Sequence, residues 1–67
     1  PLEAINRLSA LKQDSSEYVR KSAGNALRDI SKKYPDLIEE ETNAWNLDIR
    51  EINQVYKLAC RFIKNSR

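Results

Sequence analysis

Residues 16–38 constrain the fold of this chain most, because they contain the signals of a helix, a Pro-Asp corner and the start of a second helix. The apolar residues of this stretch recur at three- and four-residue steps, the spacing of one helix face. They are Val19, Ala23, Ala26, Leu27, Ile30 and Tyr34. Pro35 ends the first helix, since the residue before a proline is disfavoured in the α conformation, and it suits the first turn of the next. The stretch therefore predicts a helical hairpin.

The residues between 18 and 37 also resemble a known repeat. The matching segments are Tyr18-Val19-Arg20-Lys21-Ser22, Asn25, Asp29-Ile30-Ser31-Lys32 and Pro35-Asp36-Leu37. They are similar to the HEAT-like repeats of bacterial DNA alkylation repair enzymes, the AlkC/AlkD-like DNA glycosylases. The resemblance implies a HEAT-like α-α superhelix, of which this chain would be a fragment. It also implies a parent protein that binds double-stranded DNA and excises alkylated bases.

Four amphipathic segments predict an all-α fold. We expect helices at about 2–12, 16–33, 35–45 and 49–64. Asp14 or one of the two serines after it should cap the second helix. Residues Asn46 to Asp48 should end the third helix and cap the fourth. Charged residues make up 33% of the chain and Gly occurs once, a balance that favours helices over disorder or strands.

The second and fourth helices share a pattern at an offset of 36 residues, since Val19, Lys21 and Ala23 match Val55, Lys57 and Ala59. Helical solenoids have repeats of roughly 33 to 47 residues. We therefore expect one domain, 1–67, with about one and a half repeats in a right-handed stack of antiparallel hairpins. Because the sequence begins at Pro1 and has no Met, we expect it to belong to a longer solenoid.

The composition argues against several classes of function. The chain has no His and only one Cys, Cys60, so it predicts no metal site, no histidine general base and no internal disulfide. No cofactor is expected. No segment approaches the roughly 20 apolar residues that cross a membrane. A reducing, cytoplasmic location is the simplest interpretation.

Basic residues follow two helix faces. On the second helix Lys21, Arg28 and Lys32, with Asn25 between them, lie opposite the apolar face, and together with Arg20 they are the candidate nucleic-acid-binding residues. A second stripe consists of Arg50, Lys57, Arg61 and Lys64. Either stripe can instead be an ordinary solvated face. Arg20 has two possible roles, pairing with an acidic residue of a neighbouring repeat or binding the DNA backbone.

Other residues each have two possible roles. Gly24 predicts close helix packing or a ligand backbone beside it. The aromatic side chains Trp45, Tyr56 and Phe62 suit the core better than base stacking. Glu41 points toward the packed side of its helix, where it could stabilise a cationic transition state or lie at the domain edge. Catalytic residues remain unassigned, and Cys60 is expected to pack inertly.

The fourth helix carries a broad apolar arc that extends to Phe62 and Ile63. We expect this arc to meet a neighbouring HEAT repeat or a second copy of the chain. Two functions then compete. The first is DNA-backbone binding within a DNA alkylation repair protein, and the second is a HEAT-type scaffold for protein-protein interaction without nucleic acid. Clustering of both basic stripes on one surface would favour DNA.

Overall fold

A computed structural model describes residues 1–63 and shows four helices in that part of the chain: α1 (Leu2–Ser9), α2 (Glu17–Ser31), α3 (Pro35–Asn43) and α4 (Arg50–Ala59). Those residues contain no strand, so the all-α prediction is confirmed. α2 packs against each of the other helices, and α1 also contacts α3.

Each helix is shorter than its sequence pattern predicted. α1 ends at Ser9 rather than near Lys12, because the next amides bond three residues back instead of four, with Leu11 N donating to Leu8 O at 3.0 Å. The same tightening follows α2, where Lys33 N donates to Ile30 O at 3.1 Å. Such 3₁₀-type turns keep the apolar periodicity for a few residues after the α-helix has ended.

One of the two predicted helix caps is present in the structure. Ser16 caps α2, its hydroxyl accepting from Val19 N at 3.3 Å, while Asp14 Oδ1 accepts from Ser16 N at 2.9 Å. The predicted cap at Asp48 is wrong. α4 begins after Ile49 without a side-chain cap, and Asn46 Oδ1 accepts from Asp48 N at 3.1 Å, which forms a turn before the helix.

The core lies between the helices. The four most completely buried large apolar side chains come one from each helix, each with 0% exposure: Ile5, Leu27, Ile38 and Val55. Trp45, just beyond α3, is 5% exposed and packs with them, as the sequence predicted. A chain of this size buries only about 60% of its unfolded surface, so this cluster carries most of the apolar stabilisation.

α2 and α4 run parallel. Arg20 contacts Gln54, Gly24 faces Leu58, and Arg28 reaches Phe62, so the contacts advance together along both helices at a constant offset of 34 residues. Parallel packing of equivalent helices is what consecutive solenoid repeats require. The contact register differs by two residues from the offset of 36 seen in the sequence pattern.

Gly24 allows this close approach. A Cβ at position 24 would lie 2.8 Å from Leu58 Cβ and 3.0 Å from Leu58 Cδ1, distances that real Cβ atoms do not reach without a shift. The interpretation of Gly24 as a close-packing residue is therefore confirmed.

The apolar arc of α4 is narrower than expected. Val55 and Ala59 are fully buried, but the helix ends at Ala59 and Cys60 leaves the helical conformation with ψ of 18°. The prediction that the Phe62 side chain packs in the core is wrong, because the 100° steps of a helix no longer apply there, and the ring is 60% exposed. Cys60 itself is buried, with its Sγ 3.5 Å from Thr42 Oγ1, as expected for a packing role.

Candidate nucleic-acid interface

The basic stripe of α2 is largely open to solvent. Lys21, Asn25 and Lys32 are exposed. Arg28 is different, because its side chain is only 27% exposed and its Nε has no solvent contact and no hydrogen-bond acceptor among the described residues. Three members of the stripe can therefore meet a ligand freely, and the fourth is partly committed to the protein.

The packing of α2 decides which way its stripe faces. Arg20 and Gly24 contact α4, whereas Ala23 and Leu27 lie on the adjacent side of α2 and are buried in the core. At 100° per residue, the basic stripe and the buried pair Ala23 and Leu27 lie on opposite sides of the line along which α2 contacts α4. The stripe therefore faces away from the core. Lys21 and its neighbours thus occupy the outer surface of the α2–α4 layer.

The same construction places the second stripe. On α4 the residues in contact with α2 are Gln54 and Leu58, and the core edge is formed by the fully buried Val55 and Ala59. The opposite edge carries the exposed side chains of Arg50 and Lys57, and the exposed Arg61 follows in the turn after α4. Since both helices turn their core edges to the same interior, both basic stripes lie on one outer surface. We call this the basic face; Lys64, predicted to extend it, lies outside the described residues.

Acidic neighbours offset part of this charge. The ion pairs on the face are Lys21 with Glu17 at 3.6 Å, Arg28 with Asp29 at 3.5 Å and Arg50 with Glu51 at 3.6 Å. Exposed pairs of this kind contribute about 0 to 1 kcal/mol each, so a phosphate can replace the carboxylate at little cost. Within residues 1–63, Lys57 and Arg61 make no ion pair.

Arg20 belongs to the structure between the helices. Its Nε donates to Gln54 Oε1 at 3.1 Å and its Nη1 donates to the Asp14 carbonyl at 2.7 Å. The expected pairing with a neighbouring helix is present, but the side chain reached on α4 is an amide rather than an acid. Arg20 therefore joins α2 to α4 and to the loop before α2.

Gln54 continues this network to Glu17. Its Nε2 donates to Glu17 Oε2 at 3.2 Å. The hydrogen bond from Gln54, followed by the positive charge of Lys21, lowers the pKa of the Glu17 carboxyl below its ordinary value. The pattern of charges alone gives no signal for Gln54, whose role depends on the register between α2 and α4.

Phe62 lies beside two cations of the basic face. Lys32 Nζ is 5.3 Å from the centre of its ring and Arg28 Cζ is 6.0 Å away, both within the range of cation–π attraction. Phe62 thus joins the end of α2 to the turn after α4. Its ring remains 60% exposed while holding these contacts.

The other aromatic and acidic candidates lie away from this face. Trp45 Nε1 donates to Ser9 Oγ at 3.0 Å, and Ser9 Oγ donates to Glu41 Oε2 at 2.7 Å. Glu41 is half-buried in this junction between α1 and α3, and Tyr56 packs against the core. Ser9, which is 4% exposed, went unnoticed in the sequence because a lone serine on a short helix gives no periodic signal.

No reaction site is evident in the part of the chain that is described. Residues 1–63 contain no group of three or more His, Cys, Asp or Glu side chains that could hold a metal, and no pocket. No helix among them is long and apolar enough to cross a membrane. What these residues present is an extended, cationic surface suited to binding a polyanion.

Two solved structures match this arrangement closely. AlkD2 from Streptococcus mutans is 65% identical over 97% of this chain, with a TM-score of 0.93, and smu.31 from Streptococcus mutans UA159 is 66% identical over 96% of it, with a TM-score of 0.92. The chain is thus AlkD-like in sequence and fold. It spans 31% and 32% of those two chains, each of which is therefore about three times as long as this chain.

A curated protein matches part of the chain at lower identity. The uncharacterized protein YhaZ of Bacillus subtilis strain 168 is 44% identical over 45 residues, which are 67% of this chain and 13% of YhaZ. No protein-family model matches the sequence.

Proposed function

We propose that this chain supplies DNA-backbone binding to a DNA alkylation repair protein of the alkylpurine DNA glycosylase type. The observation that carries the proposal is the basic face, on which two parallel helices present exposed Lys and Arg side chains side by side. The similarity to AlkD-like proteins supports the same function, because the resemblance implies a DNA substrate. The excision step itself is proposed for the parent protein rather than for these residues.

The five candidate residues take different parts in this proposal. Lys21 and Lys32 bind phosphates directly, since both are exposed and can exchange weak partners for a phosphate. Asn25 donates its amide to the same backbone. Arg28 adds charge from its place beside Phe62, and Arg20 acts mainly by fixing α2 against α4. Phosphate contacts need no base-specific fit, so binding is independent of sequence.

The second stripe extends the surface. Lys57 lies on α4 next to the α2 stripe and Arg61 lies in the turn after α4, and neither makes an ion pair with another described residue. We propose that they contact the backbone beyond the phosphates reached from α2. In a solenoid each further repeat can add such a helix, which gives the parent a longer DNA-binding surface. We also propose a cytoplasmic location.

The test is a charge reversal on both helices. Lys21→Glu combined with Lys57→Glu changes two exposed side chains without disturbing Arg28, which packs on Phe62. We expect the affinity for a double-stranded oligonucleotide to fall by roughly a hundredfold or more at low salt, because two phosphate contacts are lost. Each lost contact should also reduce the slope of the log association constant against log salt concentration by about 0.9 in magnitude. Fluorescence anisotropy with labelled duplex measures both quantities.

The matched control reverses two cations away from the basic face. Arg7→Glu with Lys33→Glu changes the net charge by the same amount, but Arg7 lies on α1 and Lys33 lies in the turn between α2 and α3. The control should lose much less affinity. Equal losses in both variants mean that only total charge matters, and no loss in either favours a protein-interaction scaffold.

A further inference from the structure

Phe62 is the most exposed aromatic ring that also has cationic neighbours. Tyr18 is more exposed, at 81%, but within the described residues no cation lies over its ring. Phe62 is 60% exposed beside Arg28 and Lys32. The Phe62 ring thus presents a flat apolar surface next to two positive charges.

Both cations come from the C-terminal end of α2. Arg28 lies in its last turn, and Lys32, four residues later, is its C-cap residue, so the two side chains are neighbours that both reach Phe62. The neighbouring Arg61 is also exposed and adds a third cation close by along the chain.

An aromatic ring next to two cations matches two parts of a nucleotide, its base and its phosphate. A base has a flat face that stacks on an aromatic ring, and its phosphate requires a cation within a few ångströms. In a paired duplex the bases are stacked on each other and give no free face to a surface side chain. An unpaired nucleotide satisfies both parts of the site.

We propose that Phe62, Arg28 and Lys32 bind an unpaired nucleotide of DNA, with the base on the exposed face of the Phe62 ring and its phosphate on the two cations. The proposal rests on the DNA-binding function given above and adds a preference to it. The basic face binds backbone of any kind, and the Phe62 site favours DNA with a single-stranded or unstacked position.

The test compares two probes on the same variants: a single-stranded oligothymidylate of about 12 nucleotides and a duplex of equal length. Phe62→Leu keeps an apolar side chain but removes the flat π face. We expect it to weaken single-strand binding roughly fivefold or more and duplex binding by less than about twofold. Phe62→Trp should restore or improve single-strand binding, since a larger ring stacks at least as well. Thermal unfolding followed by circular dichroism checks that each variant is folded.

Tyr18→Leu is the matched control, because it removes an exposed ring that lacks the cations, and it should leave both affinities unchanged. Equal weakening of both probes by Phe62→Leu overturns the proposal and makes Phe62 a positioning residue for Arg28 and Lys32. Unchanged single-strand binding also overturns it, while intact duplex binding leaves the proposed function standing. If the wild-type chain binds neither probe, the DNA-binding function fails as well.

Discussion

Gly24 and Leu58 touch at the closest point between α2 and α4, and this contact makes residue 24 intolerant of a side chain. Gly24→Ala should stabilise the helical conformation of α2 by about 1 kcal/mol, but it should also force the two helices apart at a cost of about 1 to 3 kcal/mol. The free energy of unfolding should therefore fall by about 1 kcal/mol. Urea unfolding measures the difference. Ser22→Ala, an exposed change on the same helix, is the control and should be neutral or slightly stabilising. A Gly24→Ala variant as stable as the wild type would contradict the packing described for this contact.

Leu27 is the central apolar residue of α2, with 0% exposure. Leu27→Ala leaves a cavity among the core side chains and should lower the free energy of unfolding by about 2 to 5 kcal/mol, enough to unfold much of a domain this small. Urea unfolding or thermal melting followed by circular dichroism measures this loss. A change below about 0.5 kcal/mol would show that α2 packs on another face.

Trp45 and Phe62 show how far single residues can be predicted. The sequence placed Trp45 in the core correctly, because it follows a helix with apolar neighbours at helical spacing. It placed Phe62 there as well, although α4 has already ended. Periodicity gives the direction of a side chain only while the helix continues, and nothing in the residues after Ala59 marks the end as a proline or glycine would.

At the scale of the helices, the link from Glu17 through Gln54 to Arg20 joins α2 to α4. The lowered pKa of Glu17 has the hydrogen bond from Gln54 as its main cause, with Lys21 second. Gln54→Leu should therefore raise this pKa toward the ordinary value, and Lys21→Gln, which removes a positive charge and a second hydrogen bond, should raise it as well. Carboxyl ¹³C chemical shifts during a pH titration give the value directly. An unchanged pKa in the Gln54→Leu variant would contradict the hydrogen bond from Gln54 as a cause.

The sign of the pH dependence follows from the same shift. A carboxyl whose pKa is lower in the folded protein stabilises the fold when it is ionised, so its contribution is complete at neutral pH. That contribution is lost as the pH falls through the folded-state pKa of Glu17. The loss should disappear in the Gln54→Leu and Lys21→Gln double variant, which removes the two main causes.

Helix faces were predictable, whereas helix ends and register were not. The apolar steps of α2 identified Ala23 and Leu27 as core residues, and the structure buries both. The register between α2 and α4 depends on Gly24 meeting Leu58, a contact between positions 34 residues apart that no local pattern encodes. Gln54 therefore became visible as a partner of Arg20 only in the folded chain.

For the whole molecule, the arrangement of the two basic stripes matters more than the net charge of +2. The sequence identified each stripe, but their common surface follows from the parallel packing of α2 and α4 around one core. Among the described residues, three ion pairs with N···O distances of 3.5 to 3.6 Å offset part of the charge on this face, and surface pairs of this kind are weak. A small net charge is thus compatible with a surface that binds a polyanion.

The dependence of duplex affinity on salt tests this account most directly, because it counts phosphate contacts. If Lys21, Lys32, Lys57 and Arg61 each bind a phosphate, a log-log plot of the association constant against salt concentration should have a slope of about −3.6. The Lys21→Glu variant should reduce the magnitude of that slope by about 0.9, with no dependence on base sequence. A slope near zero for the wild-type chain, or one that Lys21→Glu leaves unchanged, would contradict the assignment of the basic face to DNA.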